Sequence, residues 1–173
     1  MSTLSIVEST APPEGFYPYA DLDPREGYPS TSDFQVIQTQ DGRGAGIRAV
    51  RGFKRAEMMA RVSGQLLSSR RLHTLQINPQ SHLFDPYFCG LLLHSCDPNT
   101  RLDMVAFELW ALRDISAGEV LTMDYATTED VLMRQFACRC GAPSCRRWIA
   151  GAKERPNEEG LAMLSRSQAV AEH

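Results

Sequence analysis

A mainly β fold of several small sheets, with few short helices, is what the 173-residue sequence predicts. Three observations point to it. The apolar segments are short, and several alternate with polar positions as half-buried strands do. Gly, Pro, Asn and Asp interrupt them along the whole chain. A cluster of cysteines then falls late, at Cys138, Cys140 and Cys145.

Residues 1–33 are rich in Pro, Ser, Thr, Asp and Glu, which opposes regular structure. They read as an irregular N-terminal arm pinned at intervals by Phe16, Tyr17, Tyr19 and Tyr28. Phe34–Thr39 alternates as a strand, Asp41–Gly46 turns the chain, and Ile47–Val50 reads as the return strand. Arg51–Gly64 is ambiguous: Lys54–Arg61 has helical propensity, whereas Met58–Val62 also suits a strand. Leu72–Ile77 reads as a short strand stopped by Asn78 and Pro79.

Asp85-Pro86 offers an N-cap and first-turn pair for a short buried helix over Tyr87–Leu93. Phe107–Leu112 is the strongest strand. A turn-rich connector, Arg113–Glu119, leads to the strand Val120–Tyr125. From Asn157 the tail suits a helix, with Glu158 and Glu159 complementing its first turn. The expected organisation is an arm over 1–33, a main domain over 34–130, a cysteine segment over 131–151 and a tail over 152–173.

The length suits a single domain burying roughly two thirds of its unfolded surface. Eighteen basic against twenty-one acidic residues give net −3 without a basic block, so charge offers no argument for nucleic-acid binding. No run approaches the roughly 18–20 apolar residues of a membrane span. The opening MSTLSIVEST lacks the basic start and apolar core of a secretory signal. A cytoplasmic location, or a nuclear one in a eukaryote, is therefore expected. In such reducing compartments clustered cysteines more often hold metal than form disulfides.

Cys138-Arg-Cys140-Gly-Ala-Pro-Ser-Cys145 can turn three thiolates towards one point. Structural zinc requires four ligands in a tetrahedron, so one must come from elsewhere. Cys96, in the tight His94-Ser-Cys-Asp-Pro-Asn99 segment, is the better candidate; Cys89 sits in an apolar run and reads as a small buried hydrophobe. A three-ligand catalytic zinc would need a carboxylate base, and no nearby carboxylate stands out as one. Gly42–Gly46 is neither a dinucleotide fingerprint nor a Walker loop, and such hairpins commonly just turn the chain. His94 beside Ser95 and Cys96 invites a hydrolase reading, but no nucleophile elbow accompanies them. Tyr125, taken alone, is a half-buried strand aromatic.

Together, and in this order, Gly42–Gly46, His94–Asn99, Asp114–Tyr125 and Phe136–Cys145 resemble the SET-domain lysine methyltransferases, in their compact microbial and fungal form, over roughly residues 34–151. The resemblance implies a SET-domain fold with a C-terminal pseudoknot and a zinc-bound post-SET segment on Cys96, Cys138, Cys140 and Cys145. It implies S-adenosylmethionine as the cofactor, contacted by Arg43, Gly44, Ala45, Leu93, His94, Tyr125, Phe136 and Arg139. Tyr125 would be catalytic, and a protein or peptide lysine would enter from the opposite face.

Neutralising a lysine of reference pKa about 10.4 at pH 7 costs about 4.6 kcal/mol, which a dry channel beside a sulfonium charge reduces. Leu93 stands where this family usually has Asn. The lost amide hydrogen bonds would cost about 1–3 kcal/mol in cofactor binding. That departure supports an alternative: a SET-like protein repurposed for a small-molecule substrate, or a catalytically silent binding module. Arg146-Arg147-Trp148 also stands where the family tends to have a small Gly nearby.

Overall fold

The computed structural model describes residues 14–171. Residues 1–13 of the expected arm lie outside the described part, and no helix within it is long and apolar enough to cross a membrane. Among the described residues the strands form five small sheets. β1 (Phe34–Gln38) and β2 (Ala45–Ala49) form an antiparallel hairpin. β3 (Met58–Arg61) pairs with β9 (Glu108–Ala111), which also pairs with β8 (Thr100–Asp103). β4 (Gln65–Leu67), β6 (Ser81–Phe84) and β5 (Thr74–Asn78) make the other three-stranded sheet, with β6 central. β7 (Leu93–His94) lies parallel to β10 (Thr122–Met123), and β11 (Phe136–Ala137) pairs with β12 (Trp148–Ile149).

The ambiguous segment after Arg51 resolves as strand: Met59 and Ala60 are buried against β9, and burial overrides the helical propensity of its charged neighbours. The helix expected over Tyr87–Leu93 shrinks to one 3-10 turn at Cys89–Leu91. Its N-cap is Phe88, without a side-chain cap bond, and Asp85 instead lies upstream, accepting from the N–H groups of Tyr87, Phe88 and Cys89 at 3.0, 3.0 and 2.7 Å. Leu93 is then drawn off into the parallel pairing with Thr122.

The main core centres on Phe34, stacked on Phe53 at 5.3 Å and tilted against Phe88 at 4.8 Å. Such aromatic pairs contribute about 0.5–1.5 kcal/mol beyond their buried area. The arm from residue 14 is part of this core. Phe16 meets Phe34 and Phe88 edge-on, and buried Tyr17 donates its hydroxyl to Asp85 at 2.9 Å while accepting from Ser63 N–H. A second, smaller cluster joins Leu132, Cys138 and Ile149.

The tail forms α1 (Glu158–Ala171), as its capping residues require. Asn157 Oδ1 accepts from Gly160 N–H at 2.9 Å, and Glu158 and Glu159 occupy the first turn. Gly160 lets the helix close onto Trp148, whose indole would meet an added Cβ at 2.3 Å. Trp148 thus packs under the tail, not into a ligand site.

Gly90 is the more demanding glycine. An added Cβ would sit 2.1 Å from the Asp85 carbonyl oxygen and 2.6 Å from that of His73, both fixed backbone. Gly90→Ala is expected to cost about 2–3 kcal/mol through overpacking. The denaturation midpoint should fall with an unchanged slope; an unmoved midpoint would contradict the packing described.

Candidate functional site

Cys96 follows β7, and Cys138, Cys140 and Cys145 lie in the loop between β11 and β12, where Gly141 takes a positive φ of 75°. Their four sulfurs all lie within 4.8 Å of one another. Four thiolates at about 2.3 Å from a tetrahedral zinc would be spaced about 3.8 Å apart. Cys96 Sγ and Cys138 Sγ are 3.9 Å apart, so this donor set fits the ion. Cys89, buried beside Asp85 in the main core, is not part of it.

The cluster is wired to Tyr125 through two side chains. His94 places Nε2 3.4 Å from Cys96 Sγ, and its Nδ1 accepts from the Tyr125 N–H at 3.3 Å. Accepting at Nδ1 puts the ring proton on Nε2, directed at the sulfur. Burial pushes the His94 pKa down to about 4, in keeping with a neutral ring. Arg146 supplies the other link. Its backbone N–H points at Cys96 Sγ at 3.4 Å, and its guanidinium grips Asp124 with bonds of 2.8 and 2.6 Å. Burial presses the Asp124 carboxyl upward, but the guanidinium outweighs it and holds the pKa below the usual range. Asp124 in turn caps the turn that begins at Tyr125. Arg146 is therefore a brace between the cysteine loop and the turn at Tyr125; the strand expected over Val120–Tyr125 shortens to Thr122–Met123, because the Asp124 cap starts this turn.

Tyr125, His94 and Phe136 form a mutually edge-on aromatic trio with centroids 5.2 to 6.0 Å apart. Tyr125 Oη donates to the Leu92 carbonyl at 2.7 Å, which spends its one proton and leaves its lone pairs free. Burial pushes its pKa up to about 12, so the phenol stays protonated near neutrality.

Two cavities meet at this trio. One, of about 530 Å³, is bounded by Arg43, Leu93, His94, Tyr125, Phe136 and Arg139, which are six of the eight residues expected at a cofactor. The other two stand back from it: Gly44 spends its carbonyl on Thr39, and Ala45 begins β2. Leu93, 5% exposed, lies over Gly46, whose added Cβ would meet its Cδ1 at 3.0 Å.

The second cavity, of about 600 Å³, also uses Tyr125 and Phe136 as walls. Apolar side chains such as Leu75, Leu92, Met123 and Leu132 line it together with Arg70, Arg71, Arg134 and Glu129. Motif reading missed these charged residues, because they come from separate segments and share no spacing signature. Glu129 is buried, and its Oε1 accepts from Gln76 N–H at 2.8 Å and from the Thr128 hydroxyl at 3.1 Å. Burial raises its pKa.

Residues 44–126 match the SET domain family, and the fold resembles solved methyltransferase-related structures. KRYPTONITE, crystallised with mCHG DNA and SAH, superposes at a TM-score of 0.56 with 22% identity, covering 66% of this chain and 28% of that one. The methyltransferase domain of human SETMAR superposes at 0.53 with 21% identity, covering 68% and 58%. Residues 44–126, just under half of the chain, are similar to a SET domain. Among curated relatives, methyltransferase flvH of Aspergillus flavus is 28% identical over 126 residues, covering 69% of each chain. The histone-lysine N-methyltransferase SUV39H2 of Xenopus tropicalis is 25% identical, covering 66% of this chain but 38% of that protein. The match thus spans 38% of SUV39H2.

Proposed function

We propose that this SET-domain protein is an S-adenosylmethionine-dependent methyltransferase acting on an alkyl amine of the lysine type. The observation that carries the reading is the shared wall: Tyr125 and Phe136 face both cavities, so a methyl donor and an amine can meet across them. The relatives named as methyltransferases, and the SAH complex of KRYPTONITE, support the choice of donor. A histone-lysine enzyme among them supports a lysine-type amine.

The first cavity suits the cofactor by its donor set. Arg43 and Arg139 offer guanidinium groups to a carboxylate, and Phe136 offers an apolar face to a nucleoside base. When bound, S-adenosylmethionine supplies a methyl group on positively charged sulfur; the amine lone pair takes that carbon while the C–S electron pair stays on sulfur. Everything else falls to the chain. The apolar walls and the arginines of the second cavity disfavour an ammonium and so lower the amine pKa, while Glu129 pulls the other way. Glu129 offers an acceptor to the ammonium and its departing proton. Tyr125 Oη, anchored by Leu92, presents free lone pairs that align the amine at the junction, and such alignment contributes several kcal/mol. Zinc on the four cysteines would fix β11 and Phe136 against the cofactor, in a reducing compartment such as the cytosol or nucleus.

Titration calorimetry of the zinc-loaded protein with S-adenosylmethionine should show one site per chain. Absence of heat at high cofactor concentration would end this reading in favour of a silent binding module. Leu93 makes the site weaker than an amide would, since leucine satisfies no polar partner. Leu93→Asn is therefore expected to tighten cofactor binding by about fivefold or more, the lower end of recovering a buried hydrogen bond. Unchanged affinity would show that the position does not address the cofactor.

A further inference from the structure

We propose that the second cavity selects a small amine that carries a carboxylate at its far end, an ω-amino acid, and not a lysine in a protein strand. The inference rests on the methyl-transfer reading for the identity of the reacting amine, but its charge argument stands independently. Three guanidinium-bearing residues, Arg70, Arg71 and Arg134, border a cavity whose one carboxylate, Glu129, already has Oε1 engaged. Among the described residues none of these three arginines forms an ion pair, whereas Arg25, Arg43, Arg51, Arg113 and Arg146 all do. Arg70 Nε is buried with no hydrogen-bond partner, an arrangement that costs free energy unless an acceptor arrives. Arg71 is held in place by stacking its guanidinium 3.8 Å over the Phe84 ring.

The cavity therefore joins an apolar body to charges of both signs. Burial aside, Glu129 is near enough to Tyr125 to raise its pKa, and Arg70 is near enough to Glu129 to oppose the rise there. The arginines supply the complementary charge for an anion, and Arg is the side chain best suited to fork onto a carboxylate. A basic peptide would meet like charge here. It would also find little backbone to pair with. β5 is an edge strand beside the cavity, yet the Thr74 N–H is taken by the Arg71 carbonyl and the Gln76 N–H by Glu129 Oε1. Adding a peptide strand needs such donors free. The Gln76 side chain closes the edge further, donating to Asp130 Oδ2 and accepting from Asp130 N–H, both at 2.9 Å. A volume of about 600 Å³ lies within the usual range for small-molecule pockets.

In the methyl-transfer step the ω-amine nitrogen forms the new N–C bond, the methyl–sulfur bond breaks with its electrons kept by sulfur, and the surplus proton leaves nitrogen for Glu129 or water. The carboxylate end is unchanged and serves only recognition.

The test compares 6-aminohexanoate, hexylamine and a neutrally capped lysine peptide by calorimetry on the zinc-loaded protein, with and without S-adenosylhomocysteine. The amino acid is expected to bind about tenfold or more tighter than either competitor, the lower end for a hydrogen bond to a charged group. Arg134→Gln should reduce that preference, and Arg70→Gln combined with Arg134→Gln should abolish it, with zinc content and melting temperature reporting on folding. Equal binding of hexylamine, a preference that survives in the double variant, tighter binding of the peptide, or no binding by any of the three would each overturn the proposal. S-adenosylhomocysteine is titrated separately. Its failure to bind while the amino acid still binds would remove the methyl-transfer reading and leave this selectivity standing.

Discussion

Cys96→Ser is expected to leave the purified protein with little or no zinc and to abolish measurable binding of S-adenosylhomocysteine, while most of the main core stays folded. Structural zinc on four sulfur ligands contributes apparent binding energies of about 10–16 kcal/mol at neutral pH, comparable with the whole stability of a domain. The loss should nevertheless stay local. The cysteines belong to the cluster of Leu132, Cys138 and Ile149, whereas the cluster around Phe34, Phe53 and Phe88 is built from other strands. Without the ion, the two-residue pairing of β11 with β12 has little to hold it. Phe136 and Arg139 would then leave the first cavity, and Arg146 would lose its purchase on Asp124. Metal analysis and hydrogen exchange check this together. Amides of residues 136–149 should lose protection while those of β1, β2 and β9 keep theirs. Full zinc content with unchanged protection would show that Cys96 is not the fourth ligand.

Tyr125→Phe is expected to lower kcat by about 100-fold or more, the lower range for losing a positioned polar group from a transition state. Affinity for S-adenosylhomocysteine should change little, because the aromatic ring and its contacts with His94 and Phe136 remain. The Leu92 carbonyl would lose its donor at a cost of about 1–3 kcal/mol in stability, which a melting curve reads separately. The split between kcat and cofactor affinity is what distinguishes positioning from a merely structural tyrosine. Turnover equal to that of the unmodified protein would remove Tyr125 from the mechanism.

What the sequence made legible follows from how local each feature is. Phe34–Gln38 and its return strand declare themselves through alternation and a Gly-rich turn, and the tail helix through Asn157 and the two glutamates after it. The cysteine loop carries its spacing within eight residues, so three candidate ligands stand out, and Pro98, tightening its segment, points to Cys96, whose sulfur lies within 4.8 Å of the other three. Asp85 reads as an N-cap, yet the N-cap is Phe88 and Asp85 gathers the N–H groups ahead of the turn. The turn is short because Leu93 is claimed by Thr122, a partner that no local window contains.

β4 and β6 were passed over because Gln65–Leu67 and Ser81–Phe84 are short and become strands only by pairing with each other and with β5. Arg146 looked like a departure near the last cysteine; only the fold shows its guanidinium reaching Asp124. Gly44 and Ala45 were expected at the cofactor by motif, yet the turn directs Asp41, Gly42 and Arg43 towards the cavity instead. The second cavity is the extreme case. Its arginines, Glu129 and Tyr125 converge from two segments, 70–71 and 125–134, and each is unremarkable where it stands in the chain.

A crystal structure of the zinc-loaded protein with S-adenosylhomocysteine bears most directly on the two-cavity account. The account predicts one zinc on Cys96, Cys138, Cys140 and Cys145, the nucleoside in the cavity bounded by Leu93, Phe136 and Arg139, and the thioether sulfur turned towards Tyr125 at the junction. A nucleoside bound elsewhere, or a sulfur facing away from the junction, would contradict it.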